Sequence, residues 1–199
     1  MFRRGPFRPR RIIGPRRPAA PLAEVVRQAL QNANRMMEAG DYIPAAETFE
    51  RLAEGAQARG MLQRAPQLYL QAGRARLLAN QVQKGYDLVQ KGLTLLARTE
   101  RWGSLHRFGS AAVAQLSQLG QTEKAAQLQS WLDGALKDHP EAIQEAGFTP
   151  SAAGSTQADQ KPRLPAKCPF CGANIRPNEV EWLDDQTSEC PYCGSPIPA

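Results

Sequence analysis

A chain of 199 residues, 42% hydrophobic and 22% charged, has the composition of an ordinary folded protein and the length for one medium domain plus a small one. No stretch approaches the roughly 18 consecutive apolar residues of a membrane helix, and the arginine-rich start lacks the apolar segment of a secretory signal, so a cytoplasmic location is expected. The formal net charge of +6 arises in the first 20 residues, which hold seven arginines and no acid and leave the remainder near neutral.

That arm, residues 1–20, carries Arg3, Arg4, Arg8, Arg10, Arg11, Arg16 and Arg17. Pro6, Pro9, Pro15 and Pro18 with Gly5 and Gly14 oppose an amphipathic helix, which argues for a disordered arm and against a mitochondrial-type presequence. Two roles stay open. The arm is either a solvated tail or a contact for nucleic acid or an anionic membrane through counterion release, with Phe2 and Phe7 available to stack on bases or enter a lipid surface.

Residues 21–148 read as helical throughout, rich in Ala, Leu, Gln, Glu and Arg, with no competing strand pattern. Pro44 and Pro66 suit first helical turns, where a missing N–H does no harm, and Pro140 after Asp138-His139 is expected to open a last short helix. Gly40, Asn80 and Gly120 each end a helix at intervals of forty residues. In that register Ala45, Gly85 and Ala125 align as small residues, Phe49 aligns with Val89, Leu52 with Leu132, and Ala56 with Leu96 and Leu136. On the partner helix Ala33, Gly73 and Val113 align, as do Met36 with Leu116, and Ala39 with Ala79 and Leu119. The helices are placed at 22–39, 42–58, 66–79, 82–98, 104–119 and 122–137. Small residues let paired helices approach and large ones fill the space between successive hairpins, so neighbouring units stabilise one another.

The run Gly40-Asp41-Tyr42, with Ala45 three residues on, Phe49 four later and then Leu52-Ala53, resembles the turn and second helix of a tetratricopeptide repeat. The third unit keeps Gly120, Ala125 and Leu132 but has Gln129 at the aromatic position. The second departs further, with Asn80, Gly85 and Gly92, and the period is longer than the roughly 34 residues of that family. The resemblance implies a right-handed stack of about three helical hairpins whose concave groove binds peptides or partner proteins. A compact six-helix bundle with no groove remains the alternative. Residues 21–150 hold fourteen basic and thirteen acidic side chains, so counts give no electropositive face. Arg74, Arg76, Arg98, Arg101 and Arg107 are expected on a scattered solvated surface. Trp102, Phe108 and Trp131 are expected as core or inter-repeat packing.

Residues 149–165, with Pro150, Ser151, Gly154, Ser155, Pro162 and Pro165, read as a flexible linker. A coil of that length spans on the order of 20–25 Å, enough for the C-terminal segment to fold back on the helices or reach a partner.

Residues 166–199 hold Cys168-x-x-Cys171 and Cys190-x-x-Cys193 separated by eighteen residues. Two such turns present four sulfurs to one tetrahedral cation, and one structural Zn2+ is the expected occupant. Both turns have the same form, Cys168-Pro169-Phe170-Cys171-Gly172 and Cys190-Pro191-Tyr192-Cys193-Gly194, in which proline presets φ and glycine is free to take positive φ. The interval suits a short β-ribbon, with Ile175 before a turn at Pro177-Asn178 and alternation through Glu179, Val180, Glu181 and Trp182 that points Val180 and Trp182 inward. Four thiolates leave no coordination position for water or substrate. An iron site of the rubredoxin kind shares these knuckles. A thioredoxin-like pair needs a βαβ context that is absent, and a disulfide framework needs an oxidising compartment. His106 and His139 are expected on a helix surface or end.

The two Cys-Pro-aromatic-Cys-Gly knuckles resemble the zinc ribbon family, which implies a metal-stapled β-hairpin module. Zinc ribbons serve nucleic-acid machinery or mediate protein contacts. Here Glu179, Glu181, Asp184, Asp185 and Glu189 outnumber Lys167 and Arg176, and a tetrathiolate centre adds negative charge, so this surface repels phosphate.

No nucleophile with a paired base, phosphate-cradling loop or separated carboxylate pair is present, and Ser104 and His106 point to different helix faces. The expectation is a mainly α, non-enzymatic protein-interaction adaptor, with helical hairpins binding a partner segment and the ribbon docking or making a second contact. The alternative is a nucleic-acid-associated factor anchored by the arginine arm.

Overall fold

The computed structural model describes residues 22–140, 164–176, 180–182 and 186–198. The arginine arm, most of the linker, the segment after Pro140 and the turn at Pro177-Asn178 therefore lie outside the described residues. Six helices succeed one another: α1 (Leu22–Ala39), α2 (Tyr42–Ala58), α3 (Ala65–Leu78), α4 (Val82–Arg98), α5 (Trp102–Gln118) and α6 (Thr122–Leu136). Their ends agree with the sequence expectation to within two residues. Pro66 lies in the first turn of α3, as expected.

The chain reverses by one device used five times. Gly40, Gly60, Asn80, Glu100 and Gly120 all have positive φ, so the chain turns every twenty residues, twice as often as the forty-residue spacing of Gly40, Asn80 and Gly120 alone suggests. At each the N–H of the following residue reaches back five positions, as in Asp41 to the Met36 carbonyl at 2.8 Å and Gln121 to the Leu116 carbonyl at 2.9 Å. This Schellman closure satisfies the carbonyls that a helix end otherwise leaves orphaned. No side-chain cap opens α2 to α6. Glu100 takes φ 55° without the steric freedom of glycine.

Each helix packs on the next, and α3 also touches α5 while α4 touches α6. α3 and α5 thus lie side by side, as do α4 and α6. The tightest pair is α3 with α4, and three glycines explain it. A Cβ on Gly73 would lie 2.7 Å from Val89 Cγ2, one on Gly85 2.7 Å from Leu77 Cγ, and one on Gly92 2.9 Å from Leu70 Cγ. Gly85 and Gly92, two of the departures of the second unit from the repeat pattern, are therefore packing requirements. Burial follows the register at Ala33, Ala45, Phe49, Ala56, Val89, Leu96, Ala125, Leu132 and Leu136. It fails at Ala39 and Leu119, which are exposed at helix ends beside the turns.

The last described part is a three-stranded antiparallel sheet in the order β1 (Glu181–Trp182), β2 (Thr187–Glu189) and β3 (Pro196–Pro198). This corrects the simple hairpin expected from sequence: Pro196, Ile197 and Pro198 pair with Glu189, Ser188 and Thr187. The prolines sit on the sheet edge, the position that a missing N–H allows. Val180 is buried and Trp182 packs partly against the core, both as predicted. Among the described residues no helix is long and apolar enough to cross a membrane.

Candidate metal centre and its seat on the helices

The two knuckles fold identically. The Gly172 N–H donates to the Cys168 carbonyl at 2.8 Å and the Gly194 N–H to the Cys190 carbonyl at 2.9 Å, while the Cys168 and Cys190 N–H groups donate to Ala173 and Ser195 at 2.9 Å each. Gly172 and Gly194 have φ 75° and 64°, the conformation for which their position after the second cysteine selects glycine. Each turn thereby aims both of its sulfurs at one point.

All four sulfurs are buried and lie within 4.8 Å of one another. Across the knuckles Cys168 Sγ is 3.9 Å from Cys193 Sγ, and Cys171 Sγ is 3.8 Å from Cys190 Sγ. Ligands about 2.3 Å from a tetrahedral centre are separated by about 3.8 Å, so this donor set fits a thiophilic divalent cation. Hydrogen bonds from Cys171 and Cys190 hold the Cys168 thiol far below its ordinary range. Bonding to Cys168, with burial adding to it, pushes Cys171 and Cys190 up. The bare cluster thus resists full ionisation, and a divalent cation would supply the charge that lets all four sulfurs become thiolates.

The cysteine module is seated on α1, α2 and α3. Cys168, Cys171, Cys190, Cys193, Val180 and Ile197 share one apolar cluster with Leu30 and Ala33 of α1, Phe49 of α2 and Tyr69 of α3. Asn34 Nδ2 donates to the Cys171 carbonyl at 2.8 Å, anchoring the first knuckle to α1. Beside the second knuckle, Glu189 Oε1 accepts from Arg101 Nη2 at 2.6 Å and from Gln67 Nε2 at 2.7 Å. The paired Arg101 and Glu189 side chains are only 12% and 11% exposed. Gly194 fits because a Cβ there would stand 3.1 Å from the Gln63 carbonyl.

Two sequence expectations change as a result. Glu189 counts among the acids of a phosphate-repelling surface, yet it is buried in an ion pair. Of the arginines expected on a scattered solvated surface, Arg74 and Arg98 are exposed, but Arg101 docks the module, and Arg76 is buried in α3, bonded to Glu50 at 2.6 Å and Gln81 at 2.8 Å. Sequence reasoning missed Asn34, Gln67 and Arg101 as docking residues. The available signal was α3 itself, whose polar residues Gln67, Gln71 and Arg76 are spread around the helix and are all buried. A helix buried over most of its surface shows no clear amphipathic stripe.

The remaining chemistry-bearing residues do not join the centre. His139 stacks on Trp102 with ring centroids 3.8 Å apart, which makes it a helix-end residue with a packing role. His106 is half-buried on α5. Trp131 packs against the second apolar cluster. Phe108 packs there too, and it also lines a groove of about 590 Å3 between α3 and α5 that Pro191 and Tyr192 of the second knuckle line as well.

No family model matches the chain, and neither the curated proteins nor the solved structures yield a match.

Proposed function

We propose that the protein is a non-enzymatic adaptor that holds a segment of a partner protein on the face where α3 and α5 lie side by side. In this reading the helices are tetratricopeptide-like hairpins of longer period and the cysteine module is a zinc ribbon with one structural Zn2+ held by Cys168, Cys171, Cys190 and Cys193. The groove between α3 and α5 carries the proposal, because it is large enough for a peptide and lies on a surface that neighbouring hairpins leave unfilled. Sulfur separations near 3.8 Å support zinc, and a four-sulfur shell has no position for substrate, which supports a structural role. Thiolate ligation suits a reducing compartment such as the cytoplasm. The nucleic-acid alternative rests on the arginine arm alone.

Ala111 is an exposed residue lining the groove, so Ala111→Arg blocks it without touching the core. Quantitative affinity purification of full-length wild type and Ala111→Arg from cells tests the reading. It expects a defined protein bound by the wild type and lost from the variant. The same proteins with both, or none with either, contradict it.

A further inference from the structure

We propose that the helices complete the metal site: Asn34, Gln67 and Arg101, none of them a ligand, set how tightly the four cysteines hold a cation. The inference rests on the reading of Cys168, Cys171, Cys190 and Cys193 as one metal site. It gives that site positioning residues which a free-standing ribbon lacks.

Each knuckle has its own fastening to the helices. On the first, Asn34 Nδ2 donates to the Cys171 carbonyl at 2.8 Å across 137 residues of sequence, and a Cβ on Gly172 would stand 3.6 Å from Gln31 Cγ. α1 thereby holds the peptide group of one of the four cysteines. On the second, Glu189 directly precedes Cys190, and its carboxylate accepts from Gln67 at 2.7 Å and Arg101 at 2.6 Å. At the far end of the same knuckle, Gly194 lies against the start of α3, where a Cβ would meet the Gln63 carbonyl at 3.1 Å. The second knuckle is therefore gripped on both sides of its cysteines.

These contacts bear on affinity because the sulfurs come from two separate turns. They converge only when both turns are held in place, and strands of two or three residues are too short to hold them unaided. An unsupported module gains that order at the moment of binding and loses affinity by it. Here the order exists beforehand: the cysteines share one apolar cluster with Leu30, Ala33, Phe49 and Tyr69, and Cys171 and Cys190 have no exposed surface. Removing a residue that orients a metal ligand lowers affinity about 10–100-fold. Coupling of this kind is reciprocal, so bound metal tightens the seat of the module on α1 and α3 by the same factor.

The test is titration of the reduced, full-length apoprotein with Co2+, followed by displacement with Zn2+, for wild type, Asn34→Ala, Arg101→Ala and Gly73→Ala. The same four-thiolate absorption spectrum is expected from all four proteins, with helix content unchanged by circular dichroism. Affinity is expected to fall about tenfold or more in Asn34→Ala and in Arg101→Ala. Gly73→Ala, whose new methyl meets Val89 and Gly85 of α4, is expected to bind as wild type does. Affinities of Asn34→Ala and Arg101→Ala within about twofold of wild type overturn the inference and leave an independent metal module resting on the helices. An equal loss in Gly73→Ala also overturns it, because general destabilisation then explains the effect. Wild type that binds no Co2+ or Zn2+ defeats the metal reading itself.

Discussion

Removing the Glu189 carboxylate probes the contact that seats the cysteine module. Its Oε1 takes hydrogen bonds from Arg101 at 2.6 Å and Gln67 at 2.7 Å, and the ion-paired side chains are 12% and 11% exposed. A charge-assisted bond contributes about 1.5–3 kcal/mol, and stranding one member of a buried pair costs about 3–5 kcal/mol. Arg101 keeps Ser104 and the Gln63 carbonyl as partners, at 3.3 and 3.2 Å, so Glu189→Ala belongs at the lower end, about 3 kcal/mol. Arg101→Ala leaves the buried carboxylate its Gln67 bond but no cation, and costs a similar amount. The double variant strands neither charge and is expected to lose about 4 kcal/mol, well short of the sum, a coupling of about 2 kcal/mol. Urea unfolding of the full-length, metal-loaded protein and its three variants measures each value. Single losses that add to within about 0.5 kcal/mol refute a direct buried pair between module and helices.

The glycines of the α3–α4 crossing separate contact from propensity. Gly73→Ala pushes a methyl to within 2.7 Å of Val89 Cγ2 and is expected to cost about 2–3 kcal/mol, whereas Gly134→Ala, in an open stretch of α6, is expected to gain up to about 1 kcal/mol; urea midpoints report both. Glu100→Gly relieves a left-handed conformation at an exposed turn, and a rise of about 0.5–1 kcal/mol in unfolding free energy is expected from the same measurement. Cys171→Ser leaves three thiolates. Elemental analysis is expected to fall from one zinc per chain to a small fraction, and amide exchange to rise at the α1 and α3 residues that the module covers. Exchange unchanged in that variant shows the module to be seated without its metal.

The helices were legible because their ends are written in local chemistry: Gly40, Asn80 and Gly120 suit the left-handed turns that they make. Glu100 makes the same turn with no such signal, so the twenty-residue spacing shows only in the backbone. The cysteine cluster was legible for a comparable reason, since each Cys-x-x-Cys-Gly knuckle is a local structure and only the meeting of the two is long-range. The third strand escaped notice because Pro196 and Pro198 argue against a strand except at a sheet edge, and an edge is not identifiable before the sheet is known. The seating of the module was illegible in principle. It depends on Arg101 and Glu189, which are 88 residues apart and each of which reads alone as a solvated charge. The groove arises from the same long-range arrangement, because Tyr192 reaches the wall shared with Phe108 only after the module is docked.

In the proposed reading four buried sulfurs enclose an inert cation, which organises the module on the helices. X-ray absorption at the zinc edge of the purified full-length protein tests it most directly. Four sulfur neighbours at about 2.3 Å and no oxygen or nitrogen neighbour are expected. A shell of three sulfurs with a lighter atom opens a coordination position for chemistry and contradicts it.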